Sequence, residues 1–158
     1  MRRRPLLAVL LALPIARALA DEPTKAQPAL PKEPLTIVTK DGKRHKFQVE
    51  MATTEAQQRV GEMFRQSVPP DGGMLFVWDT ARESPMWMEN TLVPLDMVFI
   101  NADGTIRAIA ENTVPQSLAI IPSHGPVLAT LELAGGSTAK LNIVVGDKVE
   151  QRIFHNAG

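Results

Sequence analysis

Apolar and polar residues alternate in short runs along most of the chain, a period-two pattern that belongs to strands rather than to helices. Leu35-Thr36-Ile37-Val38-Thr39 is rich in β-branched residues, Asp41-Gly42 is a turn signal, and residues 46–51 alternate polar and apolar, so the two runs read as a hairpin. Thr53 or Thr54 can cap a helix reaching about Arg65, with Ala56, Val60, Met63 and Phe64 on one face and Glu55 near its positive end. Pro69-Pro70-Asp71-Gly72-Gly73 breaks the chain, residues 74–78 form a continuous apolar strand, and residues 79–85 form a polar loop. Residues 86–91, 96–101 and 105–113 continue as a meander, residues 127–133 and 148–154 supply the last strands, and residues 134–141 suggest a short second helix. The expected fold is α+β: a mostly antiparallel or mixed sheet in a barrel-like sandwich, with one main helix at about 53–65 and a short one at about 134–141.

The N-terminus follows a different rule. Arg2-Arg3-Arg4 precedes an apolar run from Leu6 to Ala16, broken only by Pro14, and Ala18-Leu19-Ala20 stands before Asp21. A basic start, a short apolar stretch and a small-x-small site together read as a cleavable signal peptide over residues 1–20. The run is shorter than the roughly 20 apolar residues needed to span a bilayer. The expected location is therefore periplasmic or secreted, with no stable membrane anchor after cleavage. Pro23, Pro28, Pro31 and Pro34 then mark residues 21–34 as an extended linker, and a single domain is expected over residues 35–155.

Charge changes once the leader is set aside. The chain has 17 basic and 17 acidic residues, but Arg2, Arg3, Arg4 and Arg17 lie in the signal, so the mature protein carries 13 basic against 17 acidic residues, a balance of −4. With no basic stripe, nucleic acid is not an expected partner. There is no cysteine, so an exported domain of this size must rely on packing alone, and a lipidated cysteine is excluded.

Gly61-x-Met63-x-Arg65, Gly73-Met74-Leu75-Phe76, Trp87-Met88-x-Asn90-Thr91, residues 94–100 (PLDMVFI), Pro122-Ser123 and Leu131-Glu132-Leu133 followed by Gly135 occur in an order that resembles the family of domain of unknown function 192. The resemblance covers residues 35–154. It implies a mixed α and β domain with a largely β core, often exported, and it implies no reaction. The chain departs from the family pattern at Glu62, where Leu is common, at Glu89, where Lys is common, and at Ile121, where an aromatic is common.

The segment from Trp87 to Asp96 gathers an indole, an amide, a hydroxyl and two carboxylates, a set suited to a saccharide or another small polar ligand. Arg65 could reach Asp96 or Glu132 or hold an anionic group. Trp87, Asn90, Asp96 and Arg65 are therefore the expected ligand contacts of a non-enzymatic binding domain. The structural alternative places Trp87 in the core and lets Asn90 and Asp96 shape a turn. Glu89, Asp96, Glu111 and Glu132 raise the question of paired carboxylates, which a glycosidase needs at defined separations, but no catalytic residue is assigned. A second reading is a periplasmic Cu(I)-binding protein using the thioethers of Met86 and Met88, and a third is an envelope accessory or interaction protein. No other metal and no cofactor is expected, because no phosphate-cradling loop, nucleophile elbow or zinc motif occurs.

Overall fold

The computed structural model describes residues 22–157. The signal peptide expected at residues 1–20 lies outside them. Seven strands run in chain order as β1 (Lys32–Val38), β2 (Arg44–Ala52), β3 (Gly72–Arg82), β4 (Leu95–Ile100), β5 (Ile106–Ala110), β6 (Val127–Ala134) and β7 (Lys148–Glu150). Helix α1 (Glu55–Val60) lies between β2 and β3, α2 (Ser137–Leu141) follows β6, and a 3-10 turn (Arg152–Phe154) follows β7. The strands form one sheet in the order β5-β4-β6-β3-β2-β1-β7. Only β2 and β3 pair in parallel, because α1 and its flanking loops carry the chain back across one face.

The sheet curls into a half-barrel. Its two edges approach each other: Ile106 N donates to Asp147 O, Val149 N donates to Gly104 O, and Thr105 bridges to Lys148. Strand alternation divides the apolar residues between two faces. One core takes residues from all seven strands, among them Ile37, Val49, Leu75, Val98, Ile106, Leu131 and Val149, so it fills the concave side. The other draws mainly on the central strands, with Met74, Phe76, Trp78, Met97, Phe99 and Val127, and is roofed by Met88, Leu30 and Val68 from the connections.

The α+β, β-rich fold agrees with the sequence pattern, and the differences have local causes. The main helix is shorter than residues 53–65. Thr54 caps it as expected, in a capping box with Gln57, but the chain turns at Gly61 (φ 49°) and Phe64 (φ 61°), so α1 itself buries no side chain. A Cβ on Gly61 would lie 2.9 Å from the Phe76 ring, so this turn presses directly against the sheet. Residues 86–91 form no strand, only a bridge between Met86 and Ile121, and Asn90 adopts a left-handed φ of 52°. Strand β3 runs on through the segment read as a loop, to Arg82.

The proline-rich segment is not a free tether. Gln27 Nε2 donates to the carbonyls of Gln57 and Gly61, Leu30 N donates to Glu50 Oε2 at 2.7 Å, and Met51 N donates to Pro31 O. Proline lacks the donor for a regular ladder, yet the residues between prolines use theirs here, and the segment lies as a strap across the end of α1.

Candidate functional site

Three carboxyl groups and one guanidinium meet on the convex face. Glu50 projects from β2 and Glu132 from β6, each an acid between apolar neighbours that face the other way. The turn after α1 supplies Glu62 and Arg65. Arg65 grips Glu50 with both terminal nitrogens, Nη1 to Oε1 at 2.6 Å and Nη2 to Oε2 at 2.8 Å, a bidentate fork. Its Nε lies 3.2 Å from Glu62 Oε2. That contact is one of charge only, since its direction does not meet hydrogen-bond geometry and Glu62 Oε2 has no hydrogen-bond partner among the described residues.

The charges are therefore unequal in their support. Burial works to raise Glu50, but the Arg65 fork, the Leu30 N–H and the charges of Arg65 and Lys32 outweigh it and hold its carboxyl below the usual range. Glu62 is pushed up to about 7 by burial, with Arg65 opposing and Glu50 adding to the rise. Glu132 is driven well above the carboxylate range by burial and by the charge of Glu62, against the pull of Arg65. One guanidinium cannot satisfy three buried acids, and Glu50 takes most of it.

Glu62 and Glu132 both line a cavity of about 270 Å³. Its walls include Trp78, Trp87, Phe76 and Met86, and Arg82 lies across the Trp78 ring at 4.2 Å from the centroid. Trp78 is 8% exposed and its Nε1–H has no acceptor among the described residues. Two orphaned polar atoms, one acid oxygen and one indole N–H, thus belong to side chains of the same cavity.

The four residues expected from sequence do not converge. Trp87 is 47% exposed and stands at the cavity rim, so it does not fill the core. Asn90 acts through its backbone, its carbonyl accepting from Phe64 N at 2.8 Å, while its amide lies 3.9 Å from Met63 Sδ. Arg65 sits behind Glu62, engaged with Glu50. Asp96 is on the concave side and fully buried. Its carboxylate accepts from Asn112 N, Gly136 N, Thr138 N and Thr138 Oγ1, at 2.7–2.9 Å. Of the four carboxylates weighed for paired chemistry, Glu89 and Glu132 line the cavity, whereas Asp96 and Glu111 both meet Thr138 on the other side. The thioethers of Met86 and Met88 share one face, as strand-like alternation implies, but Met88 Sδ is buried and accepts from Thr113 Oγ1 at 3.0 Å. Among the described residues no cluster of three or more His, Cys, Asp or Glu is disposed for a metal.

Sequence reasoning missed Glu62, Trp78 and Arg82 as partners in one site. A signal existed for Glu62, which departs from the Leu that the family resemblance implies there, and for Glu132, an acid between two buried leucines. Only the packing of the turn after α1 on β3 and β6 brings them together.

The sign of the Glu62 effect can be tested. Its ordinary value is 4.5 and its folded value about 7, so between those limits the folded state keeps a proton that the unfolded state has released. Stability then falls as pH rises through that window, by about 3 kcal/mol for this group, and nothing is lost below it, where both states are protonated. Glu62→Gln is expected to remove this share of the decline when urea unfolding is compared at about pH 5 and about pH 7.5, leaving the share that buried Glu132 contributes in the same direction. An unchanged decline would mean that Glu62 ionises freely.

The outer face of the half-barrel thus carries a cavity lined by buried acids and two indoles. The chain belongs to the family of domain of unknown function 192, described as "Uncharacterized ACR", whose model matches residues 36–151. Two solved structures are similar. One is a protein from Sinorhizobium meliloti 1021 under the provisional label of transcription regulator, with a TM-score of 0.78 and 43% identity, over 81% of this chain and 99% of that one. Another is a protein of unknown function from Novosphingobium aromaticivorans DSM 12444, with a TM-score of 0.75 and 40% identity, over 80% of this chain and 91% of that one. No curated protein matches the chain.

Proposed function

We propose that the domain binds a small polar, hydroxyl-bearing ligand, with saccharides the first class to try, in the cavity between the turn after α1 and strands β3 and β6. The observation that carries this reading is the pair of orphaned buried atoms, Glu62 Oε2 and Trp78 Nε1, on side chains lining one cavity with Glu132. Buried polar groups rarely stay unpaired. Both atoms are closed to water in the free protein; with a small turn of the two side chains a hydroxyl can accept from the indole N–H and donate to a carboxyl, while an aromatic rim covers apolar faces of a sugar ring. The reading keeps Trp87 as a ligand contact and replaces Asn90, Asp96 and Arg65 by Glu62, Glu132 and Trp78, with Arg65 and Asn90 positioning the turn.

The basic start, short apolar run and Ala18-Leu19-Ala20 site support delivery outside the cytoplasm. N-terminal sequencing of the mature protein should begin at Asp21, and recovery of the full chain from the cytoplasm alone would remove that part of the proposal.

Both tryptophans of the chain line the cavity, so intrinsic fluorescence reads the site without a label. Titration with a panel of glycans and cell-wall fragments is expected to shift the emission and raise Tm by linkage. Trp87→Ala should weaken binding by about tenfold with little change in stability, as befits a half-exposed aromatic contact. A panel without a single responder, in emission or in Tm, would sink the reading.

A further inference from the structure

The cavity gathers more acid groups than cations, an excess that a neutral hydroxyl compound does not answer. On the buried side, Glu50 from β2, Glu62 and Arg65 from the turn and Glu132 from β6 amount to three acids against one guanidinium. Arg65 is committed to Glu50 by its two-pronged grip. At the rim, Glu55 and Arg59 from α1, Arg82 from β3 and Glu89 leave the balance even. The excess of acid is therefore concentrated at Glu62 and Glu132, the two groups least exposed to water.

Resting on the ligand-binding reading above, we infer that the ligand carries an organic ammonium group beside a hydroxyl, seated between Glu62 and Glu132 against the indole wall. Once the side chains of Glu62 and Trp78 turn their buried polar atoms toward the cavity, the ammonium supplies the cation the two acids lack, and the hydroxyl supplies the acceptor that Trp78 Nε1 lacks. A simple cation such as a metal ion answers only the first need, and a neutral sugar only the second. The indoles suit this class too, because a cation over a tryptophan face is attracted by the ring quadrupole. The protein already uses that attraction, with the Arg82 guanidinium over Trp78. Amino alcohols and amino sugars share the required chemistry.

Binding of such a cation favours ionised acids. Burial leaves Glu62 and Glu132 reluctant to ionise, so the free site holds protons that an ammonium must displace. Affinity for a permanent cation then rises with pH until both acids are ionised in the free protein.

The test uses the mature protein and matched probes, followed by tryptophan fluorescence and calorimetry. Choline and ethanolamine represent amino alcohols, and 3,3-dimethylbutan-1-ol is the neutral carbon isostere of choline. Glucosamine represents amino sugars, with N-acetylglucosamine as its neutral partner. The cationic member of at least one pair is expected to bind about tenfold or more tightly than its neutral match. If choline binds, its affinity should climb between about pH 6 and about pH 8. Glu62→Gln and Glu132→Gln, each checked for an intact melting transition, should each erase the preference. Which pair shows it tells amino alcohol from amino sugar. Equal binding of cationic and neutral members, or of neutral saccharides alone, overturns the ammonium inference and leaves the pocket as a site for neutral ligands. Silence from every probe and from the glycan panel overturns both.

Discussion

Asp96→Ala is expected to be the most damaging single change, lowering the free energy of unfolding by about 4 kcal/mol and Tm by about 15 °C. The carboxylate is wholly buried and accepts from three backbone N–H groups and one hydroxyl. Helix α2 has Gly136 at its N-cap and no side-chain cap of its own. Asp96 reaches over from β4 to accept from Thr138 N, so it caps from outside the helix. Truncation leaves those donors buried without a partner, each at a cost of about 1–3 kcal/mol before relaxation. Asp96→Asn should recover little, because its amide turns a donor toward donors. Ligand affinity per folded molecule should hardly move, since the residue lies on the concave side. A loss below about 1 kcal/mol in urea melts would refute this account.

Gly73→Ala is the second large effect, expected to cost about 3 kcal/mol or more. The residue has a φ of 150°, and a Cβ there would lie 2.4 Å from the carbonyl oxygen of Glu132 and 3.0 Å from Leu133 Cδ2. The obstacle is backbone, which cannot rotate aside, so β3 and β6 must separate. Glu132 pairs with Met74 in this register and is among the residues that line the cavity. Unlike the Asp96 change, this one should weaken ligand binding along with stability, because the displaced strand carries the acid. Wild-type melting together with wild-type affinity would show that β3 and β6 have room for a methyl group at this position.

These two residues also show what could be read along the chain and what could not. Asp41-Gly42 between alternating runs announces the β1–β2 hairpin because turn chemistry is local. Thr53 or Thr54 announces the start of α1 for the same reason, and Thr54 is the one that caps it. The end of α1 was harder to see, since the apolar spacing at Val60, Met63 and Phe64 continues while the backbone has already turned at Gly61. The spacing reports which side chains are wanted inside, and a turn satisfies that demand as well as a helix does. Asp96 reads as a ligand contact because it closes a segment that also holds an indole, an amide and a hydroxyl. Its purpose is to hold residues 112, 136 and 138, and sequence distance conceals that. Glu62 and Glu132, some seventy positions apart, meet only because the β2–β3 crossover folds its turn onto β6. Trp87 was legible as a contact and Trp78 was not, because an indole closing an apolar run reads as core.

The strap has a practical meaning for where this domain begins. The family match starts at residue 36, yet Gln27 and Leu30 already take part in the fold. Leu30 N holds Glu50, Glu50 holds Arg65, and Arg65 is the only guanidinium of this cluster that faces Glu62. A fragment cut at the family boundary would retain every side chain of the cavity and still lose the first link of that relay. The boundary set by resemblance and the boundary set by energy differ by about ten residues, and the shorter fragment would report a site with its backstop removed.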